Sequence, residues 1–250
     1  YYFLNRALAP LRAFLDDPEV VEISVNRPGV VYVERLGAEQ MELHRLDQLT
    51  SAEIVNLGER VAAASNQFIS VESPLLSANL PSGERIQIVL PPAASDGGAI
   101  SIRKQIVSNF SLEDYRDKDA LKGAAIALGG LSETDRALIC LLREGDIYGF
   151  IRTAVARRVS ILISGGTSTG KTTFLNACLK SASLQDRIIT LEDTRELFPP
   201  QPNVVHLIAS RGSQGTADVT IQSLLEASLR MRPDRLFVGE VRGSEAFAFL

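Results

Sequence analysis

Apolar residues recur along the first hundred positions in two different rhythms. Within residues 6–15, Leu8, Leu11 and Leu15 share one helical face, and Asp16-Asp17-Pro18 ends the run. Val21, Ile23 and Val25 then alternate as a strand, Arg27-Pro28-Gly29 turns the chain, and Val31 and Val33 alternate again. That pattern predicts a β-hairpin. Thr50 followed by Glu53 reads as a capping box, opening a helix that turns Ile54, Leu57 and Val61 inward. Two more strands, 84–90 and 99–103, flank an Asp96-Gly97-Gly98 turn. Residues 1–105 therefore predict an α+β domain.

The pattern then lapses. Residues 106–131 mix charges with Gly123, Gly129 and Gly130, and read as an interdomain linker carrying one short helix. From Ser132 the rhythm returns, first as two helices, the first opened by a Ser132/Asp135 capping box, then as strands alternating with helices. Val159 to Ile163 is a continuous apolar run, the pattern of a strand buried on both faces. Strands also suit 187–191, 204–208 and 235–239. Residues 132–250 predict an α/β domain with a mainly parallel sheet.

Composition adds limits. Of 250 residues, 45% are hydrophobic and 22% charged, the balance of a water-soluble globular chain held by burial. Cys140 and Cys178 each lie in an apolar, helix-like run and read as small buried hydrophobes rather than a disulfide or metal pair. The formal charge of −4 argues against a chain devoted to gripping nucleic acid, and no apolar run reaches the ~18 residues that span a bilayer. With no initiator Met and an apolar run at 246–250, both ends are expected to continue.

Against this background one segment carries chemistry. Gly165-Gly166-Thr167-Ser168-Thr169-Gly170-Lys171-Thr172 matches G-x-x-x-x-G-K-[ST] throughout. Glycines let the backbone curl so that its N–H groups face the β- and γ-phosphates of a nucleotide. A helix beginning near Lys171 aims its positive end at the same oxygens. Lys171 neutralises phosphate charge, and Thr172 places a hydroxyl on Mg²⁺. Chance gives the pattern in about 1 in 100 chains of this length, before the flanking strand and helix are required. Ser168 stands where many such loops carry glycine, so a positive φ there would strain it.

Binding ATP is half of hydrolysis; a water-orienting group and a second hold on Mg²⁺ are also needed. Two carboxylates close predicted strands, where ligands collect in open α/β folds. Glu240 ends Leu236-Phe237-Val238-Gly239, and we expect it to hold Mg²⁺ through water. Glu192 and Asp193 end Ile188-Ile189-Thr190-Leu191, and Glu192 is our choice for polarising the attacking water. Spacing alone leaves both open as the catalytic base.

These segments in this order, GGTSTGKTT at 165–173, ITLEDTREL at 189–197 and LRMRPDRLFVGEVRG at 229–243, resemble the secretion (traffic) ATPase superfamily. Thr173 closes the first. The N-terminal half narrows the likeness. Leu15-Asp16-Asp17-Pro18, Glu22-Ile23-Ser24-Val25-Asn26, Gly83-Glu84-Arg85-Ile86-Gln87-Ile88 and Ser101-Ile102-Arg103-Lys104 are similar to the small type IV secretion ATPases of the VirB kind. The resemblance implies an N-terminal α+β domain joined by a linker to a C-terminal RecA-like ATPase domain. It implies a cytoplasmic homohexamer, peripheral on the inner membrane, that works with secretion-channel components and other secretion ATPases. It also implies that Arg85 and Arg103 reach the nucleotide phosphates from the N-terminal domain, completing a catalytic set with Lys171, Glu192 and Glu240. The family's histidine box is expected near residue 260, so the ATPase domain is expected to be incomplete at its C-terminus. Arg230, Arg232 and Arg235 cluster beside the last motif and are candidates to serve a neighbouring subunit. A RecA-like nucleic-acid motor is the alternative, disfavoured by the acidic balance and the lack of a basic-aromatic stripe. A GTPase lacks support because no N-K-x-D element occurs.

Overall fold

The computed structural model describes the chain except residues 106–110, 118, 120–121, 123–129, 211–215 and 242–250. It is a mixed α/β structure with a six-stranded and a three-stranded sheet. By its contacts the chain divides into two compact units, residues 1–105 with 164–250, and residues 106–163.

The first unit opens with α1 (Tyr2–Ala7) and α2 (Arg12–Asp16), separated by a 3₁₀ turn at Ala9–Leu11. The single helix expected over 6–15 is thus broken, because Pro10 lacks an N–H and its ring clashes with a preceding carbonyl. Leu8 and Leu11 are buried as expected. Strands β1 (Val20–Arg27) and β2 (Val30–Arg35) form the hairpin, with Ile23 facing Val33 and Val25 facing Val31. Gly29 turns it at φ +74°, a value glycine reaches without strain. Strand β3 (Glu42–Arg45) follows, then α3 (Ser51–Ala64). The Thr50 side chain accepts from the Glu53 N–H at 3.3 Å, and Ile54, Leu57 and Val61 are buried. Strands β4 (Leu75–Asn79), β5 (Arg85–Val89) and β6 (Ala99–Arg103) complete an antiparallel sheet in the order β3-β2-β1-β6-β5-β4. One face packs under α1 and α3 through Leu4, Leu11, Ile23, Ile54, Leu57, Ile88 and Ile102.

In the second unit, α4 (Leu112–Asp117) is the short helix expected in the linker. The rest of that expectation falls largely outside the described residues. Helices α5 (Glu133–Arg143) and α6 (Ile147–Ala156) pack together, burying Leu138, Ala154 and Val155. The Ser132/Asp135 box is present in both directions, and Asp146 caps α6 by accepting from the Gly149 N–H at 2.8 Å. Two expectations fail here. Residues 159–163 form no strand, and Leu162 is 72% exposed. An apolar run becomes a strand only where another strand completes its hydrogen bonds, and no described strand pairs with it. Cys140 is exposed, because its face of α5 points outward and its thiol meets Glu144 at 3.3 Å. Cys178 is buried.

The remaining elements belong to the first unit: α7 (Lys171–Ser181), β7 (Ile188–Glu192), β8 (Val204–Ile208), α8 (Ile221–Ser228) and β9 (Arg235–Val238). The strands form a parallel sheet in the order β8-β7-β9. Its apolar residues pack with Val89, Ala93, Ala94 and Ala99 of the N-terminal segment on one side and with Leu224, Leu225 and Ala227 of α8.

The strict alternation of β1 suggests that Glu22, Ser24 and Asn26 face solvent, yet all three are buried. Their side of the sheet meets the β7–β8 region. Asn26 donates to Asn203 Oδ1 at 2.8 Å, and Arg187 donates to both Asn26 and Asn203. Arg187 is fully buried, also donating to the Met231 carbonyl at 2.9 Å. At the rim Arg232 grips Glu34 with two bonds, 2.6 and 2.7 Å, and Arg235 pairs with Asp186 at 2.6 Å. Burial depresses the Arg187 guanidinium to about 10 and pushes the Glu22 carboxyl up to about 7.

Candidate active site

The phosphate-loop segment leads directly into α7. Gly170 takes φ +88° at the helix N-cap, where no side chain caps the first turn, so the opening N–H groups face the loop. Ser168 takes φ +61°, the strained left-handed conformation anticipated if that position needed glycine's freedom. Thr169 Oγ1 donates to the Gly166 carbonyl at 2.9 Å, and Lys171 Nζ donates to the same oxygen at 2.6 Å. The curl is tight: a Cβ on Gly165 would stand 2.8 Å from Thr169 Oγ1. A side chain there would displace the Thr169 hydroxyl from its bond to Gly166. Lys171 and Thr172 are half-buried, and the loop itself is exposed.

Glu192 lies at the C-terminal end of β7, next to the end of β9. Leu191 pairs with Val238, and the Gly239 N–H donates to the Leu191 carbonyl at 2.9 Å. Glu192 and Glu240 therefore close neighbouring strands. The approach is close enough that a Cβ on Gly239 would meet Glu192 Cγ at 3.2 Å. Glu240 is exposed, whereas Glu192 is 1% exposed. Glu192 Oε1 accepts from the N–H groups of Glu196 and Leu197 at 2.8 and 2.9 Å. Oε1 thus fixes the carboxylate, and Oε2 is buried without a hydrogen-bond partner among the described residues.

Several residues that sequence patterns did not single out build this corner. Asn176, on α7, donates to the Glu196 carbonyl at 2.9 Å and accepts from the Phe198 N–H at 2.9 Å. Arg195 pairs with Asp96 of the β5–β6 turn at 2.8 Å. Behind them His206 is buried against Thr190 Oγ1 at 2.8 Å, and burial lowers its imidazole to about 4, so it stays neutral. The spacing of Asn176, four residues after Thr172, would have placed it on the loop's side of the helix, but nothing in sequence marks its distant partners.

Arg85 and Arg103 stand elsewhere in the unit. They face each other across β5 and β6 and line a cavity of about 690 Å³ with Glu22, Gln87, Arg230 and Arg232. None of residues 165–173 lines it. Of the three arginines beside the last motif, Arg232 and Arg235 hold ion pairs within the chain and Arg230 lines this cavity. Among the described residues no cluster of His, Cys, Asp and Glu could by itself hold a metal, and no helix is long and apolar enough to cross a membrane. The donors present suit a nucleotide-bound Mg²⁺, which takes few protein ligands and keeps its waters: the hydroxyl of Thr172 and the carboxylate of Glu240.

The chain is also similar to known proteins along nearly its whole length. Residues 142–250 match the type II/IV secretion system protein family. The chain is 39% identical to the type IV secretion system protein VirB11 of Brucella suis over 99% of its length, covering 69% of that protein. It is 34% identical to protein VirB11 of Agrobacterium fabrum over 99% of its length, covering 72% of that relative. The crystal structure of the VirB11 ATPase from the Brucella suis type IV secretion system, in complex with sulphate, superposes with a TM-score of 0.91 at 40% identity. That match covers 98% of this chain and 74% of the solved one. With its loop, its paired strand-end carboxylates and this likeness along nearly the whole length, the chain belongs to the VirB11 family of type IV secretion ATPases.

Proposed function

We propose that the chain is a subunit of a homohexameric, Mg²⁺-dependent ATPase that powers substrate translocation or pilus assembly by a bacterial type IV secretion system. The observation that carries the reading is the bond from Asn176 of α7, the helix led by the phosphate loop, to the segment after β7, whose end bears Glu192 beside the strand that leads to Glu240. Backbone N–H groups of 165–172 and the start of α7 receive the β- and γ-phosphates, and Lys171 offsets their charge. Thr172 and Glu240 would hold Mg²⁺, whose charge would offset that developing on the phosphate oxygens. Glu192, fixed through Oε1, turns Oε2 toward the water that attacks the terminal phosphate.

Residues 1–105, 106–131 and 132–250 serve in this reading as N-terminal domain, linker and ATPase domain. Arg85 and Arg103 reach the phosphates when domains close, neutralising charge only in the transition state. Ring formation with itself and contact with channel components at the cytoplasmic face of the inner membrane follow from the family. Sequence-specific nucleic-acid binding is not expected.

The test is steady-state phosphate release by the full-length protein, with light scattering on the same sample. Mg²⁺-dependent turnover by a ring of about six subunits supports the reading. Turnover by a monomer that rises only with DNA replaces it with a nucleic-acid motor.

A further inference from the structure

We infer that Asn176 is a positioning residue for hydrolysis: it ties the helix that carries the phosphate loop to the peptide segment that holds the Glu192 carboxylate. The inference rests on the assignment of Glu192 as the water-polarising group.

The segment after β7 has no regular structure, so its backbone has few constraints of its own. Yet it supplies both bonds that fix Glu192. The N–H groups of Glu196 and Leu197 converge on Oε1. For both to converge, residues 196–198 must be held at one distance and orientation. Asn176 does this with a single side-chain amide. Its Nδ2 donates to the Glu196 carbonyl at 2.9 Å and to the Thr172 carbonyl at 3.2 Å, and its Oδ1 accepts from the Phe198 N–H at 2.9 Å. Donor and acceptor are both used, so the amide's orientation is determined by its partners.

The same side chain reaches the Thr172 carbonyl, one turn back toward the loop. Thr172 and Glu196 are thereby held to a common amide. A displacement of α7 moves the segment, and the segment moves the carboxylate. Asn176 touches no reacting atom in this account; it acts through the peptide groups of 196 and 197. An orientation error of a fraction of an ångström at Oε2 lowers the rate of the chemical step without weakening the loop's hold on phosphates. That separation distinguishes positioning from general support of the fold.

The experiment uses the full-length protein and measures kcat, KM and the equilibrium affinity for a fluorescent ATP analogue. The variants are Asn176→Ala, Asn176→Asp, Glu192→Gln and Asn176→Ala combined with Glu192→Gln, each checked by thermal melting. Asn176→Asp keeps the shape and the acceptor for Phe198, but sets a charged oxygen against the Glu196 and Thr172 carbonyls, so it reports on loss of both donor bonds. Expected are a fall in kcat of about tenfold or more in both Asn176 variants, with nucleotide affinity changed less than about threefold. Added to Glu192→Gln, Asn176→Ala should cost less than about twofold further, because the carboxylate it positions is already gone.

The inference is overturned if Asn176→Asp melts like wild type and keeps kcat within about twofold. It is equally overturned if affinity falls as far as kcat, or if the double variant loses the full product of the single effects. Wild-type turnover in Glu192→Gln would instead overturn the assignment on which the inference rests, and that variant alone reports it. Should Asn176→Ala fail to fold, the isosteric Asn176→Asp decides.

Discussion

In the proposed reading residues 165–172 and the Glu192 carboxylate serve one reaction, and they are built in opposite ways. The loop works through its own backbone. Its curl depends on Gly165, Gly170 and a strained Ser168, and its internal bonds run between residues at most five apart. Glu192 is held by peptide groups four and five residues on, which Asn176 braces from 16 residues earlier in the chain, while Gly239 gives it room from 47 residues later. A backbone device is exposed and local. A poised carboxylate is buried and depends on three separate elements. The first tolerates change around it; the second should respond to distant, conservative substitutions.

That contrast can be pressed from the largest effect downward. Lys171→Ala removes the loop's only side-chain cation, so phosphate release should fall on the order of a thousandfold, with weaker nucleotide binding as well. A binding defect accompanying the loss is the mark of the loop, and equilibrium binding of a fluorescent nucleotide checks it.

Glu22→Gln tests the buried polar face of β1 and should leave the loop unaffected. Glu22 is 3% exposed, and desolvation outweighs the attraction of Arg187, Arg103 and Arg232, with Glu34 adding repulsion. Its carboxyl therefore binds a proton more tightly in the folded protein, at about 7, than at its ordinary 4.5. The resulting stability is complete below about pH 4.5 and is lost as pH rises to about 7, by roughly 3 kcal/mol in all. Glu22→Gln should flatten that slope and raise the melting temperature at pH 8, as scanning calorimetry across pH 4.5–8 would show.

Gly239→Ala places a methyl 3.2 Å from Glu192 Cγ. The side chain must shift by a few tenths of an ångström, which should lower kcat by up to about tenfold while nucleotide affinity holds. Equal losses in kcat and affinity would mean that the strand end, and not the carboxylate, had moved. The smallest effect belongs to Ser168→Gly. Relief of the left-handed strain at φ +61° should stabilise the protein by about 1 kcal/mol or less, a rise in melting temperature of about 2–4 °C.

The same division explains what could be read from the chain. The loop, the β1–β2 hairpin, the buried face of α3 and the three strands of the parallel sheet are set by local rhythm or by a contiguous motif, and each stands where the pattern placed it. The strand-end positions of Glu192 and Glu240 were legible because acids close apolar strands, and the sheet sets those strand ends side by side. What escaped depends on tertiary partners. Arg187 looked like the polar start of a strand, yet it is fully buried against Asn26 and Asn203, 161 residues before it and 16 after. Glu22, Ser24 and Asn26 carry the alternation of a solvent-facing edge, and only the second sheet makes that face an interior. Residues 159–163 show the converse, an apolar run that no described strand pairs with.

The central claim is that the loop binds and Glu192 hydrolyses. Its most direct test is a paired measurement on wild type and Glu192→Gln: equilibrium affinity for Mg²⁺–ATP, and the single-turnover rate of phosphate release. The account predicts affinity within about threefold of wild type and a hydrolysis rate at least about a hundredfold lower. Hydrolysis near the wild-type rate, or a loss of affinity as large as the loss of rate, would contradict it.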